Sequence, residues 1–153
     1  GKPDAVLALL GTSSLEARNP AEALALRGSA QRLRGEAALA ARDFEAALQN
    51  DVRNVRALRG LARLALEAGR VADAGKQVGR AIEHGRRNED NWQLKGDVEW
   101  AAGEAALAED AYRTASELNP FRPEAHAGLA RALLAQQELD LAALEVKTLG
   151  DIA

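Results

Sequence analysis

The stretch "ASELNPFRPEAHAGLARALL", residues 115–134, contains two alanine-rich helical patterns separated by the break "NPFRP", residues 119–123. Pro120 cannot continue a helix, and it moves the residue before it out of the helical region, so the first helix must end there. Pro123 suits the first turn of a second helix. The stretch therefore predicts a tight joint between two helices. We expect the apolar Phe121 to pack on the helix that follows it.

Composition favours an all-α protein. Alanine, leucine, arginine and glutamate dominate the 153 residues and aromatic residues make up only 3%, which suits helices packed closely through small side chains. This length fits one domain with a sizeable core or a short repeat array. The absence of cysteine excludes disulfides and thiolate chemistry, and it leaves both the cytoplasm and the periplasm open as compartments.

Net charge and hydropathy argue against two classes of partner. The formal charge of -3 gives no reason to expect nucleic acid or an anionic membrane as the main partner. No apolar run approaches the roughly 20 residues of a membrane span, so we expect no direct membrane insertion. The chain starts at Gly1 and has no methionine, which favours a processed chain or an excised domain.

A shift of the sequence by 34 residues brings residues of similar size into register. Two columns hold small residues: Gly28, Ala62, Gly96 and Ala130, and Ala40, Ala74, Ala108 and Ala142. A third column holds large apolar residues: Phe44, Val78, Tyr112 and Val146. A fourth contains Gly35, Gly69, Gly103 and Gln137. Small residues let the helices of a hairpin approach closely, and we expect the large ones to fill the layers between hairpins. The glycines are expected to end the first helix of each hairpin in the left-handed conformation, with a weaker turn at Gln137.

With these columns the chain resembles the tetratricopeptide repeat family, whose unit is a 34-residue helical hairpin. The third repeat carries the family's residues most fully: Trp92, Gly96, Gly103, Ala108, Tyr112, Ala115 and Pro120. The resemblance implies a right-handed α-solenoid of antiparallel hairpins, with repeats at 21–54, 55–88, 89–122 and 123–153. Residues 1–20 are interpreted as an N-terminal partial unit, either the second helix of a degenerate repeat or a capping segment.

No pattern of catalytic or metal-binding residues is present in the sequence. Of the two histidines, His126 shares a column with Leu24, Leu58 and Trp92, which predicts a packed residue. Neither histidine has a metal-ligand spacing such as HExxH, and no phosphate-binding loop or GxSxG motif occurs. We therefore expect no catalytic residue, no metal and no cofactor.

Charge is distributed unevenly along the repeats. Eight basic and three acidic residues give the second repeat a balance of +5, and three basic and eight acidic residues give the third repeat -5. In the family that this chain resembles, the first helix of each repeat lines a concave groove. The partner-binding residues implied by this resemblance are Arg56, Arg59, Arg63, Leu66, Gln93, Asp97, Trp100, Arg131 and Leu134. Trp100 has two interpretations, an apolar anchor for a partner or a residue that packs between repeats.

The resemblance implies a non-catalytic scaffold that binds a protein or peptide partner in its groove. A clamp for the C-terminal carboxylate of chaperones is rejected, because its positions hold Ala25, Ser29, Gly60, Asp90 and Leu94. Sixteen arginines against four lysines favour a GC-rich bacterial genome, where such arrays often belong to envelope, secretion or polymer-export assemblies. The alternative is a structural module that forms a homo-oligomer through its repeat ends.

Overall fold

Helix hairpins make up the computed structural model of this chain, which describes residues 2–5 and 18–152. Residues 2–5 are helical. The long helices that follow are α1 Pro20–Leu33, α2 Ala37–Asn50, α3 Val55–Glu67, α4 Val71–His84, α5 Glu89–Ala101, α6 Ala105–Leu118, α7 Pro123–Ala135 and α8 Leu139–Ile152. The short turn inside each hairpin makes its two helices antiparallel neighbours. The prediction of an all-α chain of helix hairpins is thus confirmed. The predicted N-terminal partial unit lies mostly outside the described residues.

Each turn inside a hairpin uses one residue in the left-handed conformation. The backbone φ is 79° at Gly35, 72° at Gly69, 84° at Gly103 and 65° at Gln137. The next residue then donates its backbone N–H to a carbonyl five residues earlier, as Glu36 does to Gln31 at 2.9 Å. This hydrogen bond closes the helix end. The sequence prediction of these turns is confirmed, including the unfavourable residue at Gln137.

The joint at residues 119–123 ends one helix and starts the next, as the two prolines predict. Helix α6 ends at Leu118 and α7 begins at Pro123. The prediction for Phe121 is wrong, because its side chain is 80% exposed. The backbone N–H of Arg122 donates to the carbonyl of Asn119 at 3.2 Å, so Phe121 lies in the middle of a turn, where side chains point outward.

The chain divides into two compact units, unit 1 at Gly1–His84 and unit 2 at Gly85–Ala153. Unit 1 contains α1 to α4 and unit 2 contains α5 to α8. Both small-residue columns predicted from the sequence are buried: Gly28, Ala62, Gly96 and Ala130, and Ala40, Ala74, Ala108 and Ala142. Their burial explains how the paired helices approach closely.

An aromatic ring packed between two glycines forms the centre of each unit. In unit 1 the buried ring of Phe44 lies against Gly28 of α1 and Gly60 of α3. In unit 2 the buried ring of Tyr112 lies against Gly96 of α5 and Gly128 of α7. The absence of a side chain at these glycines leaves the space that each ring fills, so the ring sets the spacing of three helices.

The predicted large-residue column holds for three of its four members. Phe44, Val78 and Tyr112 are buried, whereas Val146 is 55% exposed. Val146 lies on α8, and the described residues contain no later hairpin that could cover it. The prediction that this residue fills a layer between hairpins is therefore wrong.

Candidate partner-binding faces

The face formed by α1 and α3 in unit 1 is basic and is held by ion pairs near its two ends. Arg56 Nε donates to Glu22 Oε1 at 2.7 Å, and Arg32 Nη1 donates to Glu67 Oε1 at the same distance. These contacts connect the first helices of the two hairpins. Arg56 is therefore partly engaged within the protein, and its charge is offset by Glu22.

Arg59 and Arg63 lie between these ion pairs on the same face of α3. Their spacing in the helix is one turn, and both side chains are half-buried. Leu66 lies one turn further along and is also half-buried. The structure thus brings together the four residues predicted for this unit, on one helix face.

The face formed by α5 and α7 in unit 2 is built on a hydrogen-bonded chain. Gln93 Nε2 donates to Asp97 Oδ1 at 3.3 Å, and the Tyr112 hydroxyl donates to the same oxygen at 2.8 Å. Arg131 Nη2 in turn donates to the Tyr112 hydroxyl oxygen at 2.9 Å. Burial first, and the nearby Asp97 carboxylate second, raise the pKa of Tyr112 above its ordinary value. The phenol therefore stays protonated and keeps its donor on Asp97.

Trp100 is half-buried beside this chain of hydrogen bonds. It packs against the core cluster of unit 2, which includes Tyr112, Leu129 and Leu133. The guanidinium carbon of Arg131 lies 4.6 Å from the centre of its ring, which is a cation–π distance. These contacts favour packing over an open anchor for Trp100, and a role in binding stays a prediction. Leu134, by contrast, is 52% exposed.

A recess of about 350 Å³ opens between α5 and α7. Its lining residues are Gln93, Asp97, Glu124, Ala127, Gly128 and Arg131. Gln93 is only 8% exposed, and its Oε1 is buried without a hydrogen-bond donor. A buried acceptor without a donor is costly, and the recess beside it is lined by two carboxylates and one guanidinium.

Sequence reasoning missed the role of the Tyr112 hydroxyl and the buried acceptor of Gln93. Tyr112 was assigned only to an apolar column, although it is the one member of that column with a polar group. The presence of that hydroxyl in an otherwise apolar column could have predicted a buried hydrogen bond. Gln93 carried no comparable signal, because an amide on a helix face is usually solvated.

His126 is a packed residue, as its column predicts. It is 8% exposed, and its Nδ1 lies 2.6 Å from Glu145 Oε2 while Nε2 lies 3.0 Å from the carbonyl oxygen of Pro120. Within residues 2–5 and 18–152, no three histidine or carboxylate side chains are grouped as a metal site requires. No helix in this part of the chain combines the length and the apolar character needed to cross a membrane.

Comparison with protein families identifies the repeat. One tetratricopeptide repeat model matches residues 32–98 and another matches residues 94–147. The chain belongs to the tetratricopeptide repeat family. As a tetratricopeptide repeat protein, it has the fold of a protein–protein interaction scaffold. A comparison with curated proteins finds no match.

Solved structures share this fold at low sequence identity. MamA from Desulfovibrio magneticus RS-1 is 17% identical with a TM-score of 0.79, over 99% of this chain and 86% of that one. PilF from Pseudomonas aeruginosa is 21% identical with a TM-score of 0.77, over 87% of this chain and 61% of that one. The first tetratricopeptide repeat domain of Spaghetti (RPAP3), bound to an HSP90 peptide, is 20% identical with a TM-score of 0.72, over 76% of this chain and 93% of that one.

Proposed function

We propose that this chain is a non-catalytic scaffold that binds a protein segment on the faces formed by the first helices of its hairpins. The recess between α5 and α7 carries the proposal, because it is a concave site lined by charged side chains from the first helices of two successive hairpins. The basic face of α3 supplies a second contact region, through Arg59 and Arg63. Peptide binding by the similar domain of Spaghetti, whose peptide comes from HSP90, supports a peptide-like ligand.

The proposed partner segment differs in chemistry from the acidic HSP90 peptide. A carboxylate clamp needs basic residues at positions that here hold Asp90 and Leu94. Unit 2 places the carboxylates of Asp97 and Glu124 in its recess, beside Arg131. The chaperone clamp stays rejected, because its basic positions are not filled.

Partner capture from source-organism lysate tests the proposal. Three forms are compared: the wild type, the variant Arg59→Glu/Arg63→Glu and the variant Leu134→Glu. Leu134 is exposed, so its replacement should leave the fold intact, and circular dichroism checks both variants. A matched control, Arg42→Glu/Arg53→Glu, makes the same charge change on exposed residues of α2 and the following joint.

A partner retained by the wild type and the control but lost by the face variants would support recognition on the first helices. Equal capture by all folded forms would place recognition elsewhere and refute the proposed site.

We also propose a place in a bacterial envelope, secretion or polymer-export assembly. The support is compositional, since sixteen arginines against four lysines favour a GC-rich bacterial genome. Identification of captured partners by mass spectrometry tests this placement. Recovery of envelope or export proteins would support it, and recovery of ribosomal or metabolic proteins alone would oppose it.

Self-association is a second candidate, favoured by the exposed apolar residues of α8. Leu139, Leu141, Leu144 and Val146 are between 47% and 64% exposed. Burying some of them against a second copy would remove apolar area from water. Light scattering over a concentration series should then show a dimer that Val146→Glu abolishes. A strict monomer at high concentration would rule this candidate out.

A further inference from the structure

One stripe along α8 is apolar and exposed. Its residues are Leu139, Ala143, Val146 and Gly150, spaced by four, three and four positions. This is the spacing of residues that share one side of a helix. Leu139 is 64% exposed and Val146 is 55% exposed, and the two small residues are exposed as well. Within the described part of the chain this stripe, about three turns long, faces solvent.

The same side of the second helix contacts another helix in two earlier hairpins. Val146 shares a column with Phe44 and Tyr112. Phe44 of α2 lies against Gly60 of α3, and Tyr112 of α6 lies against Gly128 of α7. The stripe of α8 therefore continues an interface that occurs twice within the chain, and we expect a helix to occupy it.

The sizes of the residues in the stripe favour a second copy of α8 in the antiparallel orientation. Large and small residues alternate along the stripe. In an antiparallel pair, Leu139 of one copy lies opposite Gly150 of the other, and Ala143 lies opposite Val146. Each large side chain then meets a small one, which allows the two helices to pack closely. A parallel pair would place Gly150 opposite Gly150 and leave that space unfilled.

The charges beside the stripe favour the same orientation. Asp140 and Lys147 lie two turns apart on one side of it, both are exposed, and neither forms an ion pair with another described residue. In an antiparallel pair this side of one helix faces the same side of the other, so Asp140 of each copy lies opposite Lys147 of its partner. In a parallel pair these charges would face the uncharged side that carries Ala142 and Leu149.

We infer that α8 is a self-association surface that pairs antiparallel with α8 of a second copy of this chain. This inference rests on the self-association candidate among the proposed functions, for which it names the contact and its orientation. It uses neither the recess between α5 and α7 nor the basic face of α3. A contact of about three turns is smaller than a standard protein interface of roughly 1,600 Å², so we expect a dissociation constant on the order of 100 µM.

Sedimentation velocity over a concentration series tests the contact. Val146→Glu places a charge in the centre of the stripe and should keep the protein monomeric. Leu141→Glu is the matched control, because Leu141 lies on the opposite side of α8 and is 47% exposed. It should leave the dissociation constant unchanged. Both positions are exposed, so the fold should be retained, and circular dichroism checks this.

Exchange of the two charges tests the orientation. Asp140→Lys and Lys147→Asp each place like charges opposite one another in the antiparallel pair, so each variant alone should dimerise about fivefold more weakly. A mixture of the two variants restores opposite charges at both contacts. It should therefore form a heterodimer about as readily as the wild type forms its dimer.

The possible failures point to different conclusions. A wild type that stays monomeric at about 1 mM would overturn this inference together with the self-association candidate. A dimer that persists in folded Val146→Glu, or that Leu141→Glu disrupts equally, would place the contact elsewhere and overturn this inference alone. A mixture of the charge variants that dimerises no better than either variant would refute the antiparallel orientation. The scaffold proposal is decided separately, by partner capture with the variants of α3 and Leu134.

Discussion

Replacing Gly128 by alanine tests whether the ring of Tyr112 sets the helix spacing in unit 2. A Cβ at this position would lie 2.6 Å from Tyr112 Cε1 and 2.7 Å from Cδ1. Ordinary van der Waals contact begins near 3.4 Å, so the ring or the helix would have to move. The other face of the ring is closed by Gly96, where a Cβ would lie 2.5 Å away. The ring therefore cannot move away from Gly128 without approaching the backbone at Gly96.

The expected loss follows from two opposing effects. Alanine favours a helix over glycine by about 1 kcal/mol, whereas overpacking a closed core costs about 1–3 kcal/mol. Because the Tyr112 hydroxyl is held by Asp97 and Arg131, we expect the upper end of that range. Gly128→Ala should lower the free energy of unfolding by about 2 kcal/mol.

Urea unfolding measures this loss, and the two tryptophans are suitable probes because Trp92 and Trp100 both lie in unit 2. Gly79→Ala is the matched control. It lies in α4 with nothing within 4 Å of the added Cβ, so circular dichroism should show a gain of about 0.5–1 kcal/mol. The double variant Gly128→Ala/Tyr112→Val should lose less than the sum of its single changes, because valine relieves the overlap. A Gly128→Ala variant as stable as the wild type would show that the ring does not limit the spacing.

Three further predictions concern the stability of single contacts. Tyr112 is the only tyrosine, and its pKa is raised by burial and by Asp97, so its phenolate absorbance should appear at higher pH in the native protein than in denaturant. The stability that the neutral phenol contributes is then fully present below pH 10, and it is lost as the pH rises through the higher pKa of the native protein. Equal titration midpoints in the native and denatured protein would contradict the effect of burial. Gln137→Gly should raise the free energy of unfolding by about 1 kcal/mol, since it relieves the left-handed conformation, and calorimetry showing no gain would refute this. Arg27 pairs with buried Asp43 at 2.5 and 2.8 Å, so Arg27→Met should lower the free energy of unfolding by about 2–3 kcal/mol. The double variant with Asp43→Leu should recover most of this loss. A loss no larger than that of Arg42→Met would refute a stabilising role for the pair.

The repeat period made most of the helices predictable. A small residue every 34 positions reports a close helix contact that recurs in each hairpin, and a glycine such as Gly35 reports a turn that few other residues adopt. Both patterns depend on backbone geometry, which is similar in every repeat. Comparison of columns therefore predicted the helix ends and the buried alanines.

Features that differ between repeats escaped the same comparison. Gly60 and Gly128 occupy one column with Leu26 and Leu94, so the glycines alternate over two repeats and do not stand out as a column. A glycine is needed at these two positions because the aromatic ring of the adjacent helix, Phe44 or Tyr112, packs against them. Column comparison could not connect the two, because the contact joins different positions of different helices.

The sequence also did not predict the direction of side chains in turns or the contacts of polar atoms in the core. The apolar character of Phe121 predicted burial, yet its place in the middle of a turn exposes it. The column that contains Tyr112 compares residues by size, so it gave no information about the hydroxyl group. Both cases depend on where a few atoms point, which periodicity does not report.

The two units differ in how their faces are connected to their cores. In unit 1 the ring between the glycines is Phe44, which has no polar group, so charges on the α3 face are not bonded to the ring. In unit 2 the ring is Tyr112, and its hydroxyl connects Asp97 and Arg131 to the core. A substitution at Asp97 should therefore change the stability of unit 2 as well as the charge of its face. Charges on the α3 face of unit 1 have no such connection to Phe44, so their substitution should change the face with little effect on the core.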